Sequence, residues 1–128
     1  MTPNKVVARF KDGTMMKGTT ADFFPNKNVF HLIMENGETL TVNTEQLKAL
    51  FFVKDFQGDR ERSETYADNI PGGGRKVQIT FNDNETLTGF SQGYSPDRPG
   101  FFIIPADTKS NNERVFVIAS ATKKVTFL

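Results

Sequence analysis

Hydrophobic and polar residues alternate in short runs along most of the chain. Val6, Ala8 and Phe10 share one side of an extended segment, with Val7, Arg9 and Lys11 on the other; Val77, Ile79 and Phe81 oppose Gln78, Thr80 and Asn82 in the same way. A period of two marks a strand with one buried face. The same reading gives second strands with Met16, Gly18 and Thr20 or Leu87, Gly89 and Ser91 inward, and third strands with Phe30, Leu32 and Met34 or Phe101 and Ile103 inward. Leu40 and Val42 then match Val115 and Val117, and Lys48, Leu50 and Phe52 match Lys123, Val125 and Phe127. Asp12-Gly13, Asn36-Gly37 and Asp83-Asn84 suit tight hairpin turns, and the first and last of these pairs read as type I′ turns with both residues left-handed. Thr44-Glu45-Gln46-Leu47 and Ala119-Ser120-Ala121-Thr122 each suit one short helical turn. No long helix is predicted.

These segments come in two matching sets. Sliding the sequence by 71 positions lays Val6–Ile33 on Val77–Ile104 without a gap, with identities at Val6/Val77, Phe10/Phe81, Asp12/Asp83, Gly18/Gly89, Pro25/Pro96, Phe30/Phe101 and Ile33/Ile104. A self-match of this kind marks a repeat, and here the shared columns are structural residue types. The expected fold is all-β: two tandem five-stranded repeats at residues 1–56 and 75–128, packed together because about fifty residues bury little core alone. Residues 57–74, charged and then glycine-rich, read as the linker. Five short strands with a helical turn before the fifth resemble a small SH3-like or Sm-like barrel.

Composition removes several functions. With 16 basic and 15 acidic residues the net charge is +1, so no global field favours a polyanion. The absence of cysteine excludes disulfides, thiolate metal sites and cysteine nucleophiles. No apolar run approaches a membrane span, and the expectation is a cytoplasmic protein without membrane contact. Apolar residues on outward strand positions, Ile33, Phe51, Val53, Phe90, Phe102, Ile104 and Phe116, predict a further contact surface. They fit docking of one repeat on the other, or a homodimer or protein partner.

Candidate binding residues lie in two matched loops. Phe23, Phe24 and Lys27 in the first, with Tyr94 and Arg98 in the second, place aromatic rings beside a cation, and Phe102 adds an outward ring. Such pairs suit a peptide, a base or a phosphate. Catalytic constellations fare worse. His31 is the only histidine and no motif sets a carboxylate or serine beside it. Gly72-Gly73-Gly74-Arg75-Lys76 lacks the strand before and helix after that a phosphate loop needs, and residues 89–93 lack the context of an esterase elbow. Arg60 and Arg62 are too close for the RxxxR element of cyclic-dinucleotide-binding PilZ barrels, leaving small-ligand binding as a remote alternative. No catalytic residue, metal or cofactor is expected.

Residues 7–32 (VARFKDGTMMKGTTADFFPNKNVFHL) resemble the first signature of Sm-like RNA-binding barrels; the second signature is replaced by Gln46-Leu47-Lys48. The phrases KALFFVKDFQGD (48–59), GYSPDRPGFFIIPAD (93–107) and NNERVFVI (111–118) look like a bacterial family known only as a domain of unknown function, found alone or beside signalling and secretion modules. That resemblance implies a bacterial accessory domain with no known activity. Duplicated barrels, apolar outer faces and missing catalytic constellations lead instead to a non-enzymatic protein-binding or adaptor module, expected in bacterial signalling, as monomer or homodimer. The Sm-like resemblance implies RNA binding as the alternative.

Overall fold

The alternating segments become ten strands in a computed structural model that describes residues 4–25, 27–53, 75–91, 98–105 and 112–128. In chain order these are β1 (Asn4–Phe10), β2 (Met15–Thr20), β3 (Val29–Met34), β4 (Thr39–Asn43), β5 (Leu47–Val53), β6 (Arg75–Phe81), β7 (Thr86–Ser91), β8 (Gly100–Pro105), β9 (Asn112–Ile118) and β10 (Thr122–Phe127). Three-residue 3₁₀ turns, Thr44–Gln46 and Ala119–Ala121, precede β5 and β10 at the two places where the sequence predicts a helical turn. The all-β expectation is met. Residues 57–74, the loop 106–111 and Tyr94 lie outside the described residues.

All ten strands form a single antiparallel sheet in the order β10-β6-β7-β8-β9-β5-β1-β2-β3-β4. One order occurs twice, as β5-β1-β2-β3-β4 and as β10-β6-β7-β8-β9. The two halves meet through a backbone ladder between β5 and β9, with Ala49 opposite Val117, Leu50 opposite Phe116 and Phe51 opposite Val115. Side-chain patterning predicts docking of faces; it carries no information on this edge-to-edge pairing. The consequence is visible in composition. β5 (LKALFFV) has a neighbour on each side and nearly every position buried, whereas β10 (TKKVTF), its counterpart at the end of the sheet, is polar.

Three hairpins share one loop, and it is not the predicted type I′ turn. In the first, the Phe10 amide donates to the Thr14 carbonyl (2.8 Å) and the Gly13 amide donates to the Phe10 carbonyl (3.1 Å), which makes a three-residue loop. Only its last residue is left-handed: Gly13 (φ 93°), Gly37 (φ 88°) and Asn84 (φ 71°) occupy equivalent places. The reason lies one residue earlier. Asp12, Asn36 and Asp83 each accept the backbone amide two residues on (2.8, 2.9 and 3.0 Å), which stabilises the right-handed turn before the left-handed residue.

Gly18 and Gly89 admit a neighbouring strand. A Cβ at either would lie 2.4 Å from the carbonyl oxygen of Ile33 or Ile104. That close approach brings β2 tightly against β3, and β7 against β8, and the buried residues of both halves form one continuous core. Val6, Ala8, Phe30, Leu32, Val42 and Leu50 are buried in the first half, and Val77, Ile79, Phe81, Phe101, Ile103 and Val115 in the second. Among the described residues no helix is long and apolar enough to cross a membrane.

Candidate functional site

Described residues of the two loops singled out in the sequence, Pro25 and Asn28 of the first and Pro99 of the second, come together at the joint between the halves. In the first, Asp22 anchors the chain: one carboxylate oxygen accepts the His31 backbone amide (2.9 Å) and the Thr20 hydroxyl (3.1 Å), and the other meets His31 Nδ1 at 2.6 Å. The His31 side-chain contact, with its backbone amide next, holds the Asp22 carboxyl below its ordinary 3.8. Sequence reasoning missed this carboxylate beside the only histidine, because a loop separates them by nine positions. With its oxygens engaged inside the loop, Asp22 works as a brace for β3.

Beyond this anchor the loop sends its two rings in opposite directions. Phe23 turns inward, with ring centroids 5.3 Å from Phe30, 5.8 Å from Phe52, 6.4 Å from Phe102 and 5.1 Å from Phe116. Phe23, Phe30 and Phe52 come from the first half and Phe102 and Phe116 from the second, so the cluster closes the joint. Most of these contacts are edge-to-face, the arrangement favoured by the ring quadrupoles. Arg114 lies over Phe52 (4.3 Å) and Phe102 (4.9 Å), which shields the cluster from water on that side. The outward apolar positions Phe102 and Phe116 are thus used within the chain, whereas Ile33 stays 41% exposed.

Phe24 faces solvent, 47% exposed, and Lys27 Nζ lies 4.9 Å from its ring centroid. Next to this pair is a cleft of about 460 Å³. Pro25 and Asn28 of the first loop and Pro99 of the second line it, together with Thr44 and Glu45 of the first 3₁₀ turn, Ala119 and Ser120 of the second, Lys11, and the apolar Phe116 and Ile118. Both turns are tied to the loops: Thr44 donates its amide to the Asn28 carbonyl (2.8 Å) and Ala119 to the Pro99 carbonyl (2.9 Å). Lys11 spans the joint, donating from Nζ to Ser120 Oγ at 2.7 Å. Arg98, next to Pro99 in the chain, is exposed. Of the six predicted binding residues, Phe24, Lys27 and Arg98 are exposed and adjacent in sequence to the lining residues Pro25, Asn28 and Pro99 without lining the cleft themselves, Phe23 and Phe102 form the joint, and Tyr94 lies outside the described residues.

On another side the joint is ionic. Lys48, 5% exposed, donates to Asp83 Oδ2 at 2.8 Å, meets Glu85 Oε2 at 3.1 Å and lies 4.7 Å from the Phe81 ring centroid. Arg9 pairs with both oxygens of Glu85 (2.8 and 3.3 Å). The Lys48 ammonium holds the Asp83 carboxyl below its ordinary 3.8; burial pushes Glu85 up, but Arg9 and Lys48 outweigh it and bring it below 4.5. The sequence did contain a signal: Lys48 shares the inward register of Leu50 and Phe52, where a lysine needs partners.

The cleft combines the apolar Pro25, Pro99, Phe116 and Ile118 with polar groups that include the Lys11 ammonium and the Glu45 carboxylate. Among the described residues no group of three or more His, Cys, Asp or Glu is placed to hold a metal ion. Comparison with curated proteins and with solved structures finds no match. One family model does match, over residues 2–128, and the chain therefore belongs to the "Family of unknown function (DUF6982)".

Proposed function

We propose that the chain is a non-enzymatic protein-binding module, two SH3-like barrels fused edge to edge, which holds an extended segment of a partner protein in the cleft at their joint. The observation that carries this reading is the convergence of Pro25, Asn28 and Pro99, from matched loops of both halves, on one groove with Phe116 and Ile118 in its lining. A groove of about this size with apolar lining and a few polar groups suits a side chain or two of a peptide. Phe24 and Lys27, adjacent in sequence to the lining residues Pro25 and Asn28, would supply an aromatic anchor with a cation.

Capture of partners by the full chain and by Phe24→Ala tests the site. Phe24 is exposed, so the variant keeps its fold while losing a stoichiometric protein partner; equal retention would remove the cleft from consideration. Phe23→Ala is unsuitable, because that ring belongs to the joint. A second reading, RNA binding, draws on the same Phe24 and Lys27 pair with Lys11 and Arg98 nearby, a ring for stacking and cations for phosphate. It requires oligonucleotide affinity that falls steeply with salt. Affinity that is absent or insensitive to salt excludes it.

A further inference from the structure

The joint between the halves pairs unlike strands, and the described sheet ends with the same two kinds of strand. β5 corresponds to β10 through Lys48/Lys123, Leu50/Val125 and Phe52/Phe127, and β9 corresponds to β4 through Val115/Leu40 and Val117/Val42. β5 and β9 are joined to each other, and β10 and β4 are the two ends of the described sheet. The molecule thus carries one completed joint and, on opposite edges, the two components of another. We propose that the β10 edge pairs with the β4 edge of a second copy of this chain, head to tail, in the register of the internal joint.

Carrying that register over sets Val125 opposite Thr41 and Phe127 opposite Thr39, as Leu50 lies opposite Phe116 and Phe52 opposite Arg114. The charges agree. Exposed Lys123 and Lys124 lie on β10, and exposed Glu38 and Glu45 flank β4. Lys48, which meets Asp83 across the internal joint, has Lys123 as its counterpart, and Asp83 has exposed Asp12. Apolar surface is present on both sides, with Phe127 38% exposed on one edge and Val29 and Ile33 each 41% exposed beside the other. The aromatic seal differs: the cross-strand pair Phe102–Phe116 of the internal joint becomes His31–Thr41. Contact between copies is therefore reversible, concentration-dependent and weakened by salt, in contrast to the internal joint. Pairing of unlike edges is heterologous, so it closes into rings, the smallest of two copies, or extends as filaments.

The chain has no cysteine, which permits a directional test. Opposed residues of an antiparallel pair lie within disulfide reach. Thr39→Cys and Phe127→Cys, both at exposed positions, are made separately in the full chain, mixed and oxidised. The expected product is the mixed disulfide, rising with protein concentration and falling several-fold at high salt. Sedimentation of the unaltered chain should show species larger than a monomer under the same conditions. A chain that stays monomeric at all concentrations, or like-with-like disulfides in place of mixed ones, would overturn the proposal.

Discussion

Lys48 shows how single side chains decide this structure. Its ammonium is buried in the joint, but both of its carboxylate partners are about half exposed. Removing the cation leaves Asp83 and Glu85 free to hydrate, whereas removing the carboxylates strands a buried charge. Lys48→Met should destabilise less than Asp83→Asn combined with Glu85→Gln, measured by urea unfolding; equal costs would contradict this geometry. Acid should act through the same groups. Asp83, Glu85 and Asp22 have depressed values in the fold, so the stability they give is present above the ordinary carboxylate range and lost as pH falls through their folded values. The melting temperature should drop between about pH 5 and about pH 2, with a shallower slope in Lys48→Met. Phe23→Ala and Phe24→Ala separate joint from surface: about 3 kcal/mol for the inward ring and less than about 0.5 kcal/mol for the outward one, by the same unfolding assay.

At the level of elements, two kinds of glycine carry different constraints. Gly37 has open space around it and a positive φ, so Gly37→Ala pays only conformational strain, about 1 kcal/mol. Gly18 lies against the Ile33 carbonyl, so Gly18→Ala must displace β3 and should cost about 2 kcal/mol or more, read from thermal unfolding. The strands themselves were legible because alternation such as Val77-Gln78-Ile79-Thr80-Phe81 states both the element and its inner face. The hairpin type was misread from Asp12-Gly13, since the dipeptide fits two loops and the choice depends on where the Asp12 carboxylate finds a donor. The groove was partly legible. Matched loops pointed to Phe24, Lys27 and Arg98, but Lys11, Ser120 and Glu45 reach the cleft only through pairings that sequence spacing does not encode.

For the whole molecule, the decisive feature is the pairing of β5 with β9. It makes one sheet of two similar halves, joins the ring cluster of Phe23, Phe52, Phe102 and Phe116, and brings Pro25 and Asn28 to one cleft with Pro99. The sequence shows the aftermath of this arrangement more clearly than the arrangement itself. Ala49 and Phe51 in the central strand correspond to Lys124 and Thr126 at the end of the described sheet, a difference expected between a strand with two neighbours and one with a single neighbour among the described residues. Amide hydrogen exchange, followed by NMR at a concentration low enough to suppress association, tests the joint most directly. Amides of β5 and β9 that face each other should exchange only through global unfolding, as slowly as those of β1 and β6, in a single cooperative unit. Fast exchange along β9, with the two halves opening independently of each other, would show that the halves are separate bodies and would contradict the account.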